Sequence, residues 1–124
     1  MGTLILDASA LIGLLDAADA HHVRAVTDVE IADLAGQALV APASAYSEAL
    51  VAFARAGRLA DARNAIAAMG IAVAPLTAAM AERAAKLRAD HNSLRLPDAI
   101  VVACSRELSA QLLTYDARLS RLAD

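Results

Sequence analysis

Leu4-Ile5-Leu6-Asp7-Ala8-Ser9-Ala10-Leu11 sets a short apolar run directly against a carboxylate. Thr3 to Leu6 has the length and continuity of a strand buried on both faces, the kind found in parallel sheets. Helical spacing then runs for a turn or two from Ser9 to Leu15, before a polar break at Asp16 to Asp19. A carboxylate at such a junction either caps the next helix or belongs to a site, and Ser9 can share the capping.

The same alternation continues along the chain. Ala20 to Ala35 reads as a helix stopped by Gly36, and Ala38 to Ala41 as a second strand closed by Pro42. Ser44 is placed to cap a helix running to about Ala56, which Gly57 ends. Leu59 to Met69 is a further helix before Gly70, and Ile71 to Ala74 a third strand before Pro75. Thr77 is placed to cap a helix to about His91, with Asn92 to Leu96 as a loop. Pro97, at the favoured first helical position, opens a helix to about Leu108. Gln111 to Thr114 is the fourth strand and Ala117 to Leu122 a short final helix. Strands alternating with helices predict an α/β fold, a parallel sheet of four strands covered on both faces. No repeat or linker divides the 124 residues, so one domain over 1–124 is expected.

Composition narrows the class. Hydrophobic residues make up 59%, yet there is no Trp, one Phe and two Tyr, so Leu, Ile, Val and Ala must fill the core. That rules against a disordered chain. The single Cys104 excludes a disulfide framework and falls on the stripe Val101, Cys104, Leu108, where an inert core thiol is expected. The first residues carry no positive segment and Asp7 breaks their apolar run, so no export signal is read and a cytoplasmic location is expected. Asn64 to Ala81 is uncharged and long enough to raise the question of a membrane span. It contains Gly70 and Pro75 and is mostly alanine, which reads instead as a helix end, a strand and a helix start.

Carboxylates stand out in this frame. Asp7 follows the first strand, Asp116 comes two residues after Thr114, and Asp98 lies in the first turn of its helix. Open parallel sheets gather ligands beyond the carboxyl ends of their strands, where these three are placed to meet. On the helix after the second strand Tyr46, Leu50 and Phe53 share a face, and Glu48 lies about 140° from Phe53 at about 100° per residue. Glu48 is therefore either a solvated acid or a group aimed at a polar site. Hard oxygen donors suit Mg²⁺ or Mn²⁺ rather than zinc, and His21, His22 and His91 lack companions at metal-ligand spacing. Cations held there would offset the mutual repulsion, activate a water and stabilise a phosphate under hydrolysis. They would also reverse the local sign of a chain whose net charge of −3 argues against phosphate binding.

Each acid has an ordinary reading too. Asp98 can simply favour the helix dipole, Asp116 can be a turn or cap residue, and Glu48 a surface acid. Arg83, Lys86, Arg88 and Arg95 read first as a solvated face and second as an RNA contact, and His21 and His22 as surface or capping groups. A phosphatase using an aspartate nucleophile would want a second acid where Ser9 stands. A phospho-receiver module would want paired acids near the first strand and a lysine on a late strand, whereas Lys86 lies on a helix.

Taken in order, Leu4 to Leu11, Glu48, Leu96-Pro97-Asp98-Ala99 and Leu113-Thr114-Tyr115-Asp116 resemble the PIN-domain ribonucleases over nearly the whole chain. Within them the pattern is most similar to the VapC toxins of bacterial type II toxin–antitoxin pairs. The resemblance implies a PIN-like three-layer α/β/α sandwich, with Asp7, Glu48, Asp98 and Asp116 as metal-binding catalytic residues and Ser9 and Thr114 as supporting polar groups. It implies Mg²⁺ or Mn²⁺, cleavage of structured RNA such as tRNA or a ribosomal loop, a homodimer, and a VapB-like antitoxin that neutralises the toxin in a larger assembly. An antitoxin arginine would enter the acid cluster, and the Ser44–Ala56 and Leu59–Met69 helices would hold its apolar part. Asp16 to His22 looks like the family's first loop, with no role implied. Many relatives add a short strand after the last helix; here a missing fifth strand is expected to leave the edge beside Gln111–Thr114 shorter. The alternatives are a PIN-like module that binds RNA or a partner without cutting, a DNA-directed nuclease, and a PIN nuclease outside toxin–antitoxin pairs. Neutralising Asp98 is expected to relieve repulsion in the metal-free protein.

Overall fold

In the computed structural model, which describes residues 2–123, Ile5 and Leu6 are fully buried because the strand that carries them is paired on both edges. Along the chain run β1 (Thr3–Leu6), α1 (Ala8–Leu15), α2 (His22–Leu34), β2 (Ala38–Pro42), α3 (Ala43–Arg55) and α4 (Leu59–Ala68). β3 (Ile71–Ala74), α5 (Ala78–Asp90), α6 (Leu96–Glu107), β4 (Gln111–Leu113) and α7 (Ala117–Ala123) complete it. Residues 3–5 pair in parallel with 38–40 and residues 4–6 with 111–113, giving the strand order β3-β2-β1-β4. The chain steps outward to β3, then returns past β2 and β1 to β4. With right-handed crossovers this places α1 to α4 against one face and α5 and α6 against the other, the expected three-layer α/β/α arrangement.

The core explains why so few aromatics suffice. Val101 and Cys104 of α6 join the sheet residues and α1 to α4 in one cluster, while Ala99, Val102 and Ala103 join Leu87 and Leu119 in a second. Burial on both sides accounts for the unbroken apolar run in α6. Small residues let helices approach closely: a methyl at Gly13 would lie 3.0 Å from the Ala25 Cβ. His22 secures that contact, its Nδ1 donating to the Gly13 carbonyl at 2.7 Å.

Several element ends differ from the sequence-based expectation. α1 begins at Ala8 because Asp7 is its cap, and α2 begins at His22 because the turn before it is held by Asp16 and Asp19, which accept the N–H groups of Ala18 and His21. Ser44 does not cap α3. Pro42 turns the chain straight from β2 into the helix, leaving Ser44 at the second helical position with its hydroxyl buried and unpartnered among the described residues. Pro97 is likewise second in α6, after Leu96, since no first-turn N–H has an acceptor within the helix. Thr77 does cap α5, accepting the Met80 N–H. Leu108 ends α6 and is exposed, so only the Val101–Cys104 part of that stripe is core. The described sheet has four strands, and α7 packs against the β4 edge, with Arg106 donating to the Leu122 carbonyl at 2.7 Å. Among the described residues no helix is long and apolar enough to cross a membrane.

Candidate active site

The strand order reverses between β1 and β4, and open α/β sheets form a crevice at such a point beyond the carboxyl ends. Asp7 leaves β1 at that position and is only 4% exposed. Its Oδ1 accepts the Ala10 N–H at 2.9 Å, which caps α1, and the Ser9 hydroxyl at 2.6 Å. Its Oδ2 accepts the Thr114 hydroxyl, just past the end of β4. Burial pushes the Asp7 carboxyl up, and the Asp98 charge adds to the rise; the three donors pull the other way without cancelling it.

The segment after β4 is held to Asp7 through the same two hydroxyls. Ser9 Oγ accepts the Tyr115 N–H at 3.1 Å, and Thr114 Oγ1 accepts the Asp116 N–H at 3.1 Å. Asp116 then caps α7 and meets Arg118, whose N–H and Nη2 donate to it at 2.9 and 3.2 Å. Those contacts, the Arg118 guanidinium first, hold the Asp116 carboxyl below the usual carboxylate range.

Glu48 and Asp98 approach from the other side, on α3 and α6, which pack against each other. Arg95, the cap position of α6, lies between them. Its Nε and Nη2 donate to Asp98 at 3.3 and 3.4 Å, and Nη2 stands 4.0 Å from Glu48 Oε2. Burial raises the Glu48 carboxyl; Arg95 offsets part of the rise, while the Asp98 and Asp7 charges add to it. Asp116 also acts on Arg95, and Asp98 on Arg118. All four acids therefore share one field, with two guanidiniums set among them.

Carboxylate oxygens are the donors that Mg²⁺ and Mn²⁺ take, and every acid here keeps lone pairs beyond its present contacts. Among the described residues, however, no three Asp, Glu, His or Cys side chains are grouped tightly enough to ligate a metal as they stand. The donor chemistry fits a hard divalent cation; the side-chain positions fit the arginines that now neutralise the acids. Arg95 is 65% exposed, so it is free to swing clear.

Reading the sequence as a solvated basic face missed this use of Arg95, although its spacing of three before Asp98 on a helix is a pairing signal. Arg83, by contrast, pairs with Glu107. Arg118 was also missed, and so was Tyr115, whose hydroxyl donates to Asp28 at 3.0 Å. Of the Tyr46, Leu50 and Phe53 face of α3, Leu50 is buried in the main core cluster, while Tyr46 and Phe53 pack against it and stay partly exposed.

A family model of the PIN domain matches residues 4–124. No curated protein matches the sequence significantly. Among solved structures, VapC20 of Mycobacterium tuberculosis, a sarcin–ricin-loop-cleaving toxin, aligns over 96% of this chain and 94% of its own, at 19% identity and a TM-score of 0.76. A toxin–antitoxin complex from Klebsiella pneumoniae aligns over 94% of this chain and 88% of its own, at 21% identity and a TM-score of 0.76. At these identities the likeness to the two structures is one of fold.

Proposed function

The chain belongs to the PIN-domain family, and on that premise we propose that it is a metal-dependent endoribonuclease serving as the toxin of a type II toxin–antitoxin pair. The observation that carries the reading is Asp7: a buried carboxylate, raised by its burial, fixed by three donors at the switch point of the sheet, with Glu48, Asp98 and Asp116 around it. Such a site costs stability unless something positive completes it.

Asp7, Glu48, Asp98 and Asp116 would hold Mg²⁺ or Mn²⁺, and the bound ion would supply an activated water and charge compensation for a phosphodiester. Ser9 and Thr114 orient Asp7 and fix the segment carrying Asp116. Arg95 and Arg118, both more than half exposed, are available to a phosphate once they leave the acids. The substrate in this reading is a structured RNA such as tRNA or a ribosomal loop, the latter cut by the Mycobacterium tuberculosis relative.

The partner reading is a VapB-like antitoxin binding a cytoplasmic toxin homodimer in a larger assembly; that the Klebsiella pneumoniae relative is part of a toxin–antitoxin complex supports an antitoxin partner. A groove of about 590 Å³ lined by Ile12, Leu15, Ala52, Phe53 and Arg58 runs to Glu48 and suits an apolar segment that ends in a basic residue.

The test is cleavage of total cellular RNA by the purified protein with Mg²⁺ or Mn²⁺, with EDTA and Asp7→Ala as controls. Discrete fragments that vanish in both controls are expected, and end mapping then names the target. No cleavage by folded, metal-loaded, antitoxin-free protein would leave a module that binds without cutting.

A further inference from the structure

We propose that His21, Tyr115 and Arg24 form a stacking platform for an unpaired nucleobase beside the acid cluster. The proposal rests on the nucleic-acid reading of the site but not on whether the RNA is cut. The His21 and Tyr115 rings lie 4.7 Å apart between centroids at an interplanar angle of 6°, and the Arg24 guanidinium stands 5.1 Å from the Tyr115 centroid. Neither ring is free to drift. Asp28 accepts the Tyr115 hydroxyl at 3.0 Å and lies 4.0 Å from Arg24 Nε. Asp19 Oδ2 accepts the His21 N–H at 3.0 Å and lies 3.7 Å from its Nδ1.

The stack is also fixed relative to the carboxylates. Tyr115 sits between Thr114 and Asp116, and its N–H donates to the Ser9 hydroxyl that in turn donates to Asp7. A group lying on the stack is therefore a neighbour of the acid cluster.

Packing alone does not account for the arrangement. A ring pair that only joined α2 to the β4–α7 segment would be buried, yet the His21 side chain is 45% exposed and Arg24 72%. Tyr115 is anchored against the main core cluster and only partly exposed, so what it presents at the lip of the site is the open His21 ring stacked on it. Stacking also suits this chain electrostatically. With a net charge of −3 and four acids at the site, phosphates are poorly attracted, whereas a base is attracted through its π-face whatever the net charge. Arg24, whose guanidinium lies over the Tyr115 ring, supplies the local positive charge for the adjoining phosphate.

The experiment is fluorescence anisotropy in EDTA with two labelled probes of equal length and charge, a twelve-nucleotide oligoadenylate and the corresponding abasic ribose-phosphate chain. The native protein is expected to bind the oligoadenylate about tenfold more tightly. His21→Ala should lose most of that preference while its affinity for the abasic chain stays the same, and His21→Phe should keep it. Arg24→Ala should weaken both probes equally and lower the salt slope by about 1. Where His21→Ala does not fold, His21→Leu takes its place, since leucine fills the volume without an aromatic face. No base preference in the native protein, or full preference in His21→Ala or His21→Leu, overturns the proposal. Cleavage of RNA without base preference would sink the platform alone; base preference without metal-dependent cleavage would sink the nuclease reading alone.

Discussion

The Thr114 hydroxyl donates to Asp7 Oδ2 while accepting the Asp116 N–H at 3.1 Å, so a single oxygen joins two acids that arrive on β1 and β4. With the Asp7 N–H donating to the Leu113 carbonyl at 3.3 Å, the parallel pairing of β1 and β4 extends into the site itself. Strand register and carboxylate geometry are thus one constraint. A slip in the first would misplace the second.

Thr114→Val keeps the shape of the side chain and removes both bonds. The buried Asp7 carboxylate loses a donor and the Asp116 N–H loses an acceptor, a cost of about 1–3 kcal/mol. A lower melting temperature and a fall in RNA cleavage of about tenfold or more are expected. Thr114→Ser, which retains the hydroxyl, should recover most of both. Thermal denaturation and initial cleavage rates read the pair.

The dependence of stability on pH has a definite sign. Asp7 and Glu48 are raised by burial in the folded protein, so between the ordinary carboxylate value and their folded values the native state binds more protons than the unfolded one. Their contribution therefore falls as pH rises through that window and is lowest above it. Asp116 runs the other way, because its lowered folded value makes its contribution fully present above the ordinary range and lost as pH falls; at 34% exposure that contribution is small. In EDTA, Asp7→Asn is expected to flatten the decline and raise the melting temperature at pH 7, while Mn²⁺ should stabilise the native protein and not the variant. Melting curves from pH 4 to 8 would test this, and a steeper decline in Asp7→Asn would refute it.

Arg95 adds to the picture of repelling acids. The Asp98 charge raises both Asp7 and Glu48, and Arg95 pairs with Asp98 through two nitrogens, so neutralising Asp98 relieves that repulsion and at the same time removes the better partner of Arg95. The informative change is Arg95→Ala. Because the Arg95 guanidinium is mostly exposed and screened by solvent, metal-free stability should shift by only about 1 kcal/mol. Mn²⁺ should bind several-fold more tightly, since the ion no longer competes with a guanidinium. Titration calorimetry on EDTA-stripped protein reads the affinity directly, and an unchanged value would mean that Arg95 does not compete.

Most of the fold was legible because its signals are local. Four-residue apolar runs end in Asp7, Pro42 and Pro75, and Gly36, Gly57 and Gly70 take positive φ where helices stop. The acids were placed at one edge by the same logic, each being a short step from a strand or helix end. Ser44 misled because a serine just past a strand is a typical cap, and nothing local shows that Pro42 already turns the chain. Arg95 and Arg118 looked solvated because exposed guanidiniums carry no burial pattern; only the meeting of α3, α6 and the β4–α7 segment gives them their partners. The stack of His21 on Tyr115 depends on the β1–β4 register and was out of reach of any local signal.

Ser44 offers a final test, since its Oγ is buried without a hydrogen-bond partner among the described residues. An unmet hydroxyl costs about 1–3 kcal/mol, and alanine is the better helix former at that position. Ser44→Ala is expected to stabilise the metal-free protein by about 1 kcal/mol, a rise in melting temperature of about 3–5 °C. Ser44 lies two residues beyond Pro42, at the sheet edge where the acids gather, so the same variant asks why an unfavourable hydroxyl is there. Higher stability with unchanged cleavage makes Ser44 a tolerated defect. Higher stability with impaired cleavage ties the hydroxyl to the site, where stability has been given up for function. A lower melting temperature would mean that the Oγ has a partner in solution.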